Sequence, residues 1–262
     1  MRFRWSAEPG IDLATGRAVP LRAYLESWLI TLYTGDLEAG FPGFHRVTPE
    51  SVKRTSTDWL STPLAQREIG GYTGKPIFDD PDQRFVGNED LNILRLEPIE
   101  AGFRAFVCDA TYSLYLHGVG STQYTPIYHD ASVNTNEPDI HNMAVWRIEF
   151  SDRGLLLGDA SPSAPAAPQH GPLPAPRTDV FGPWFVAGSQ KVSFWVESDY
   201  PGLQQPELSQ RTDEAIAAEG KMRQQCLDRY PLDAEQRAQR ATTVLDHRPL
   251  VEPAVPGWPD AE

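Results

Sequence analysis

From Phe103 to Leu116 the chain reads FRAFVCDATYSLYL, and its side chains sort by parity. Phe103, Ala105, Val107, Asp109, Thr111, Ser113 and Tyr115 fall on one face of an extended segment. Arg104, Phe106, Cys108, Ala110, Tyr112, Leu114 and Leu116 fall on the other. A period of two is the mark of a strand. Leu91 to Ile99 reads as a strand before it, with Glu100-Ala101-Gly102 as a short hairpin connection. Met143 to Phe150 is a further strand, with Met143, Val145, Arg147 and Glu149 opposing Ala144, Trp146, Ile148 and Phe150. Phe181 to Val196 supplies one or two more around Gly188. No long amphipathic helix separates consecutive strands, and parallel strands need such crossovers. The pattern therefore predicts an α+β fold with a curved antiparallel sheet, N-terminal helices packed on one face, and additional C-terminal helices.

The first helix is expected from Val19 to Thr34. Leu21, Tyr24, Leu25, Trp28, Leu29 and Leu32 recur at helical spacing, Pro20 suits a first turn and Gly35 a stop. Thr48, followed by Pro49, caps a second helix to about Leu60. Ser61 to Gly87 reads as a long loop. Pro206 to about Arg229 and an Asp233-capped stretch to about Val244 are helical. Prolines cluster from Ser161 to Pro176 and again at Pro249, Pro253, Pro256 and Pro259, which predicts extended segments outside the sheet. The organisation expected is an N-terminal extension (1–18), an α+β domain (19–200) with a Pro-rich insert (158–178), a helical segment (201–247) and an extended tail (248–262).

The 36 acidic and 23 basic residues give a formal charge of −13. That balance leaves nothing to neutralise a row of nucleic-acid phosphates or to bind an anionic membrane through a basic patch. No run of about 20 apolar residues predicts a spanning helix. Met1 to Trp5 carries two arginines with no apolar stretch after them, so it does not read as a signal peptide. Either the chain is cytoplasmic, or it is the mature part of an exported protein.

Chemistry-bearing motifs are few. Gly71-Tyr72-Thr73-Gly74-Lys75-Pro76 lacks the Ser or Thr after the lysine and the flanking strand and helix that a phosphate loop requires. His117, His129 and His141, near Asp130 and Asp139, fit no metal-ligand spacing, so neither a metal nor a cofactor is expected. Asp109 is the informative polar residue, because aspartate is disfavoured inside strands. Lining a concave sheet, it would serve as a general base; otherwise it pairs with Arg104 or Arg147 on a neighbouring strand. Tyr24, Trp28, Tyr112, Trp146, Arg147 and Trp184 are the candidates for a ligand pocket, with plain core packing as the alternative. Cys108 and Cys226 are either two buried thiols or one long-range disulfide worth roughly 3–5 kcal/mol.

Two helices followed by a curved antiparallel sheet resemble the nuclear-transport-factor-two-like cone fold, which includes polyketide cyclases, ketosteroid isomerases and non-catalytic modules. A second resemblance lies in Glu8-Pro9-Gly10-Ile11-Asp12, Val19-Pro20-Leu21-Arg22, Thr34 to Phe44, Val86-Gly87-Asn88-Glu89 and Pro256-Gly257-Trp258-Pro259. These segments are similar to uncharacterised actinobacterial cell-envelope lipoproteins. That resemblance implies a disulfide between Cys108 and Cys226 and a location in the envelope or outside the cell, and it supplies no catalytic residue. The function expected is a non-catalytic envelope module that binds a lipid or small apolar ligand, or a protein partner through its Pro-rich segments. The alternatives are a cofactor-independent cyclase- or isomerase-like enzyme using Asp109 as acid/base, and a structural subunit of a larger assembly.

Overall fold

A computed structural model describes residues 1–48, 64–67, 69–71, 83–152, 163–195 and 213–260. Seven strands form its central sheet: β1 (Arg2–Ala7), β2 (Arg84–Ile99), β3 (Gly102–Ala110), β4 (Leu114–His117), β5 (Thr125–Pro126), β6 (Met143–Ser151) and β7 (Phe185–Lys191). Their order is β5-β4-β2-β3-β6-β7, all antiparallel, and β1 adds to β2 in parallel. The helices are α1 (Ala18–Thr34), α2 (Phe44–Val47), α3 (His129–Thr135), α4 (Pro138–Asn142), α5 (Asp213–Arg229) and α6 (Ala234–Thr242). The chain is thus an α+β protein, as its alternation predicts.

The parity of β3 decides the layering. Phe103, Ala105 and Val107 pack beneath α1 with Trp146, Ile148 and Phe150 of β6. Phe106, Cys108 and Ala110 pack on the other side with Met143, Val145 and residues of α5 and α6. The sheet is a middle layer covered on both faces. As expected, the N-terminal helix α1 covers one face; the additional C-terminal helices cover the other. Alternation between apolar sets on both faces is what such a buried sheet requires.

Two expected elements end differently. The strand from Phe103 stops at Ala110, where Thr111 turns and donates its amide to Asn142 O (3.0 Å); β4 then begins afresh at Leu114. Gly87 permits this arrangement, since its φ is +122° and a Cβ there would collide with the Ser113 carbonyl. The N-terminal extension contains a strand: Phe3 and Trp5 point into the core from β1, and Arg2 and Arg4 point away. The stretch between β5 and β6 holds the two short helices α3 and α4. The expected helix from Thr48 to Leu60 lies outside the described residues beyond its first residue. The expected loop from Ser61 is described only in part, and β2 already starts at Arg84.

Fifteen of the 17 residues of α1 are buried, including the polar Arg22, Glu26, Ser27 and Thr31. Gly35 ends the helix in the left-handed region (φ +66°) and donates its N–H to Thr31 O (2.8 Å). Residues 163–176 of the Pro-rich insert and the tail account for the burial. Arg22 donates to Leu13 O (2.9 Å), Gln169 O (3.0 Å), Pro256 O and Gly257 O, and lies 4.2 Å over the Trp258 ring. One turn along, Glu26 accepts from Trp5 Nε1 (2.8 Å) and Trp258 Nε1 (2.9 Å). Trp258 is 1 % exposed. The tail is therefore part of this chain's own core and not a loose strap.

On the far face, Cys108 and Cys226 form a disulfide between β3 and α5. Asp233 and Gln236 form the capping box that starts α6. No helix among the described residues is long and apolar enough to cross a membrane.

Candidate functional site

The second half of α1 crosses the ends of β3, β6 and β7, and the layers do not close there. They leave a cavity of about 190 Å³. Its walls include Trp28, Leu32 and Tyr33 of α1, Asp109 of β3, Ala144 and Trp146 of β6, Lys191 of β7, and Tyr128. Register fixes which strand residues face it. Asp109 stands opposite Leu91 on β2 and Ala144 on β6, and Trp146 opposite Lys191 on β7, so all point toward α1. Trp28 and Trp146 meet edge to face with centroids 4.8 Å apart.

Asp109 is 6 % exposed and forms no ion pair; Arg104 and Arg147 both bind Glu149 on the opposite face. Its partner is a second acid. Glu89, fully buried, lies two residues before Leu91 and so beside Asp109 on the same face. The two acidic groups are coupled, each acting on the other's ionisation. Glu89 Oε1 also accepts from Tyr33 OH (2.8 Å), and Asp109 Oδ2 from Trp146 Nε1 (2.9 Å). Glu89 Oε2 and Asp109 Oδ1 have no hydrogen-bond partner among the described residues. Two carboxyl groups buried side by side disfavour ionisation of both.

Burial pushes Glu89 well above the ordinary carboxylate range, and the charge of Asp109 pushes it further. Burial raises Asp109 too, while Glu89, the Trp146 indole and the charge of Lys191 pull it back. Both carboxyls are therefore held above their ordinary range, and Asp109 is the member that meets the cavity. Burial also raises Tyr33 and Tyr128, so both stay protonated donors.

The cavity brings together Asp109, Trp28 and Trp146 from the residues expected at a site. Tyr24 sits deeper under α1, donates to Ile69 O (3.0 Å) and packs between Phe44 and Phe150 as core. Trp184 packs edge-on to Phe103, with centroids 4.9 Å apart. Tyr112 and Arg147 are on the opposite face. Tyr112 donates to Asp139, which also holds Arg237, and Arg147 stacks 4.2 Å from Trp195. Glu89, Tyr33, Tyr128 and Lys191 complete the site without having been singled out. His117 stacks on Tyr124, His129 pairs with Asp130, and His141 meets Thr135; no group of three potential metal ligands forms among the described residues.

A larger cleft, about 760 Å³, separates the other face of the sheet from α5, α6 and the tail. Several of its charged groups have partners within the fold: Arg4 pairs with Glu252, Arg229 with Glu8, Arg240 donates to Ser113 Oγ, and Asp90 accepts from Tyr230 (2.9 Å). The smaller cavity is where ionisable chemistry faces open space.

No family description, curated protein or solved structure matches this chain.

Proposed function

We propose that the chain binds a small, largely apolar molecule of ring size, held against Trp28 and Trp146 with one hydrogen-bonding group on Asp109. The observation that carries this is the buried Asp109, one of whose carboxyl oxygens has no partner among the described residues, in the wall of a cavity of about 190 Å³ beside Trp28 and Trp146. A dry cavity of roughly 150 Å³ accepts benzene, so the size suits a single ring. Ligand sites generally pair apolar walls with a few placed polar groups. A place in the cell envelope or outside the cell accompanies this reading. Its support is the Cys108–Cys226 disulfide, which persists best in oxidising compartments, together with the envelope-lipoprotein resemblance. Thermal unfolding of the full chain with phenol tests the binding. Phenol should raise Tm, and Ala144→Leu, which fills the cavity, should remove that shift without unfolding the protein. Absence of any shift with phenol at millimolar concentration overturns the reading.

The Glu89–Asp109 pair favours a second reading, a cofactor-independent isomerase or cyclase. Asp109 would take a proton from a carbon or hydroxyl of the bound molecule and return it at another position. Its support is the raised Asp109 carboxyl, since a base works best when its pKa nears the operating pH. Exchange of ligand C–H for deuterium from solvent, followed by NMR, should proceed with the unaltered chain and stop in Asp109→Asn. Equal exchange in both overturns it.

A further inference from the structure

The cavity wall carries Lys191 and His141. Lys191, half-buried at the end of β7, forms no ion pair among the described residues. Its charge acts instead on Asp109 of the same cavity wall.

Its position relative to Asp109 is fixed by register. Lys191 pairs with Trp146 across β6 and β7, and Asp109 pairs with Ala144 across β3 and β6. Two strand spacings and one two-residue step put their Cα atoms ~12 Å apart. With both side chains turned to the α1 face, the space between the two charged ends has ring dimensions, and Trp28 and Trp146 flank it.

Resting on the binding reading above, we infer that the ligand is a monocyclic hydroxy acid, with its carboxylate on Lys191 and its hydroxyl donating to Asp109. Trp146 donates to Asp109 Oδ2, and Asp109 Oδ1 has no partner among the described residues, which leaves it to accept a ligand O–H. A ligand carboxylate is repelled at that end by Asp109 and attracted at the other by Lys191, so the two charges set one orientation. The ring bridges them along the apolar walls.

Titration calorimetry of the full chain at pH 7 with 4-hydroxybenzoate, phenol and benzoate tests this. 4-Hydroxybenzoate should bind about tenfold tighter than phenol, the worth of one charge-assisted contact. Lys191→Met and Lys191→Gln should each erase that preference. If phenol binds and 4-hydroxybenzoate binds no tighter, or if the preference survives in both variants, the hydroxy-acid inference falls while the cavity reading stands. If neither phenol nor 4-hydroxybenzoate binds, the cavity reading falls and takes the inference with it.

Discussion

Cys108 and Asp109 are neighbours in the chain and serve opposite layers of the protein. The Cys108 sulfur is bonded to Cys226 beneath α5, and the Asp109 carboxylate accepts from Trp146 beneath α1. A single strand thus anchors the C-terminal helices with one side chain and forms the cavity with the next.

Loss of that anchor is measurable. The cysteines are 118 residues apart, and a loop of that length is worth about 4–5 kcal/mol in the chain-entropy account. Urea unfolding of Cys226→Ser, or of the unaltered chain with reductant, should show a loss of this size. A loss below about 1 kcal/mol would mean that packing of α5 on Val145 and Met143 suffices without the bond.

Glu26 makes stability pH-dependent. Burial lifts its carboxyl from 4.5 to about 7, against the opposing pull of Arg22 and the two indole donors. Between those values the folded chain keeps a proton that the unfolded chain releases. Its contribution is therefore full below pH 4.5 and is lost as pH rises to 7, by about 3 kcal/mol. Glu89 and Asp109, raised by burial, act in the same direction. Unfolding free energies at pH 4.5 and 7.5 should fall less steeply in Glu26→Gln, with a residual slope from the cavity pair.

Tyr33→Phe removes the donor to Glu89 Oε1 and leaves a buried acceptor unpaired. The expected cost is about 1–3 kcal/mol in chemical denaturation. An effect within 0.5 kcal/mol would show that water replaces the hydroxyl.

Arg22→Met keeps most of the side-chain volume and strips the donors from four carbonyls. We expect about 3–5 kcal/mol of destabilisation. Hydrogen exchange should localise it: the amides of Leu173 and Trp258, which bond each other's carbonyls at 3.0 and 2.8 Å, should lose protection first. Unchanged exchange there would assign the hold on the tail to Trp258 packing alone.

Periodicity carried most of the architecture. The α1 stripe, the β3 and β6 alternations, the two-residue turn after Ile99 and the Asp233 cap are local signals that tertiary packing reinforces. The strand β1 was missed although Phe3 and Trp5 alternate with arginines, because a six-residue segment has no partner visible in sequence. Asp109 stood out as a charge in a strand, and its place in the cavity agrees with one of the two roles weighed for it. Glu89 carried the same signal, in phase with Leu91 and Ile93, but the strand had been begun after it. Tyr112 and Arg147 were wrongly grouped with Trp146 because parity assigns a face, and only the packing of helices on both sides says which face holds the cavity. Lys191 could not be recognised, since only the folded sheet sets it in the same cavity wall as Asp109.

Glu26 binds an indole from residue 5 and another from residue 258. During vectorial synthesis α1 emerges early and then waits, its buried carboxylate and guanidinium uncovered, until almost the whole chain has been translated. The layer that shapes the cavity is consequently among the last to close, so a ribosome stalled anywhere before Trp258 would hold a chain that can pair its strands but has no finished pocket.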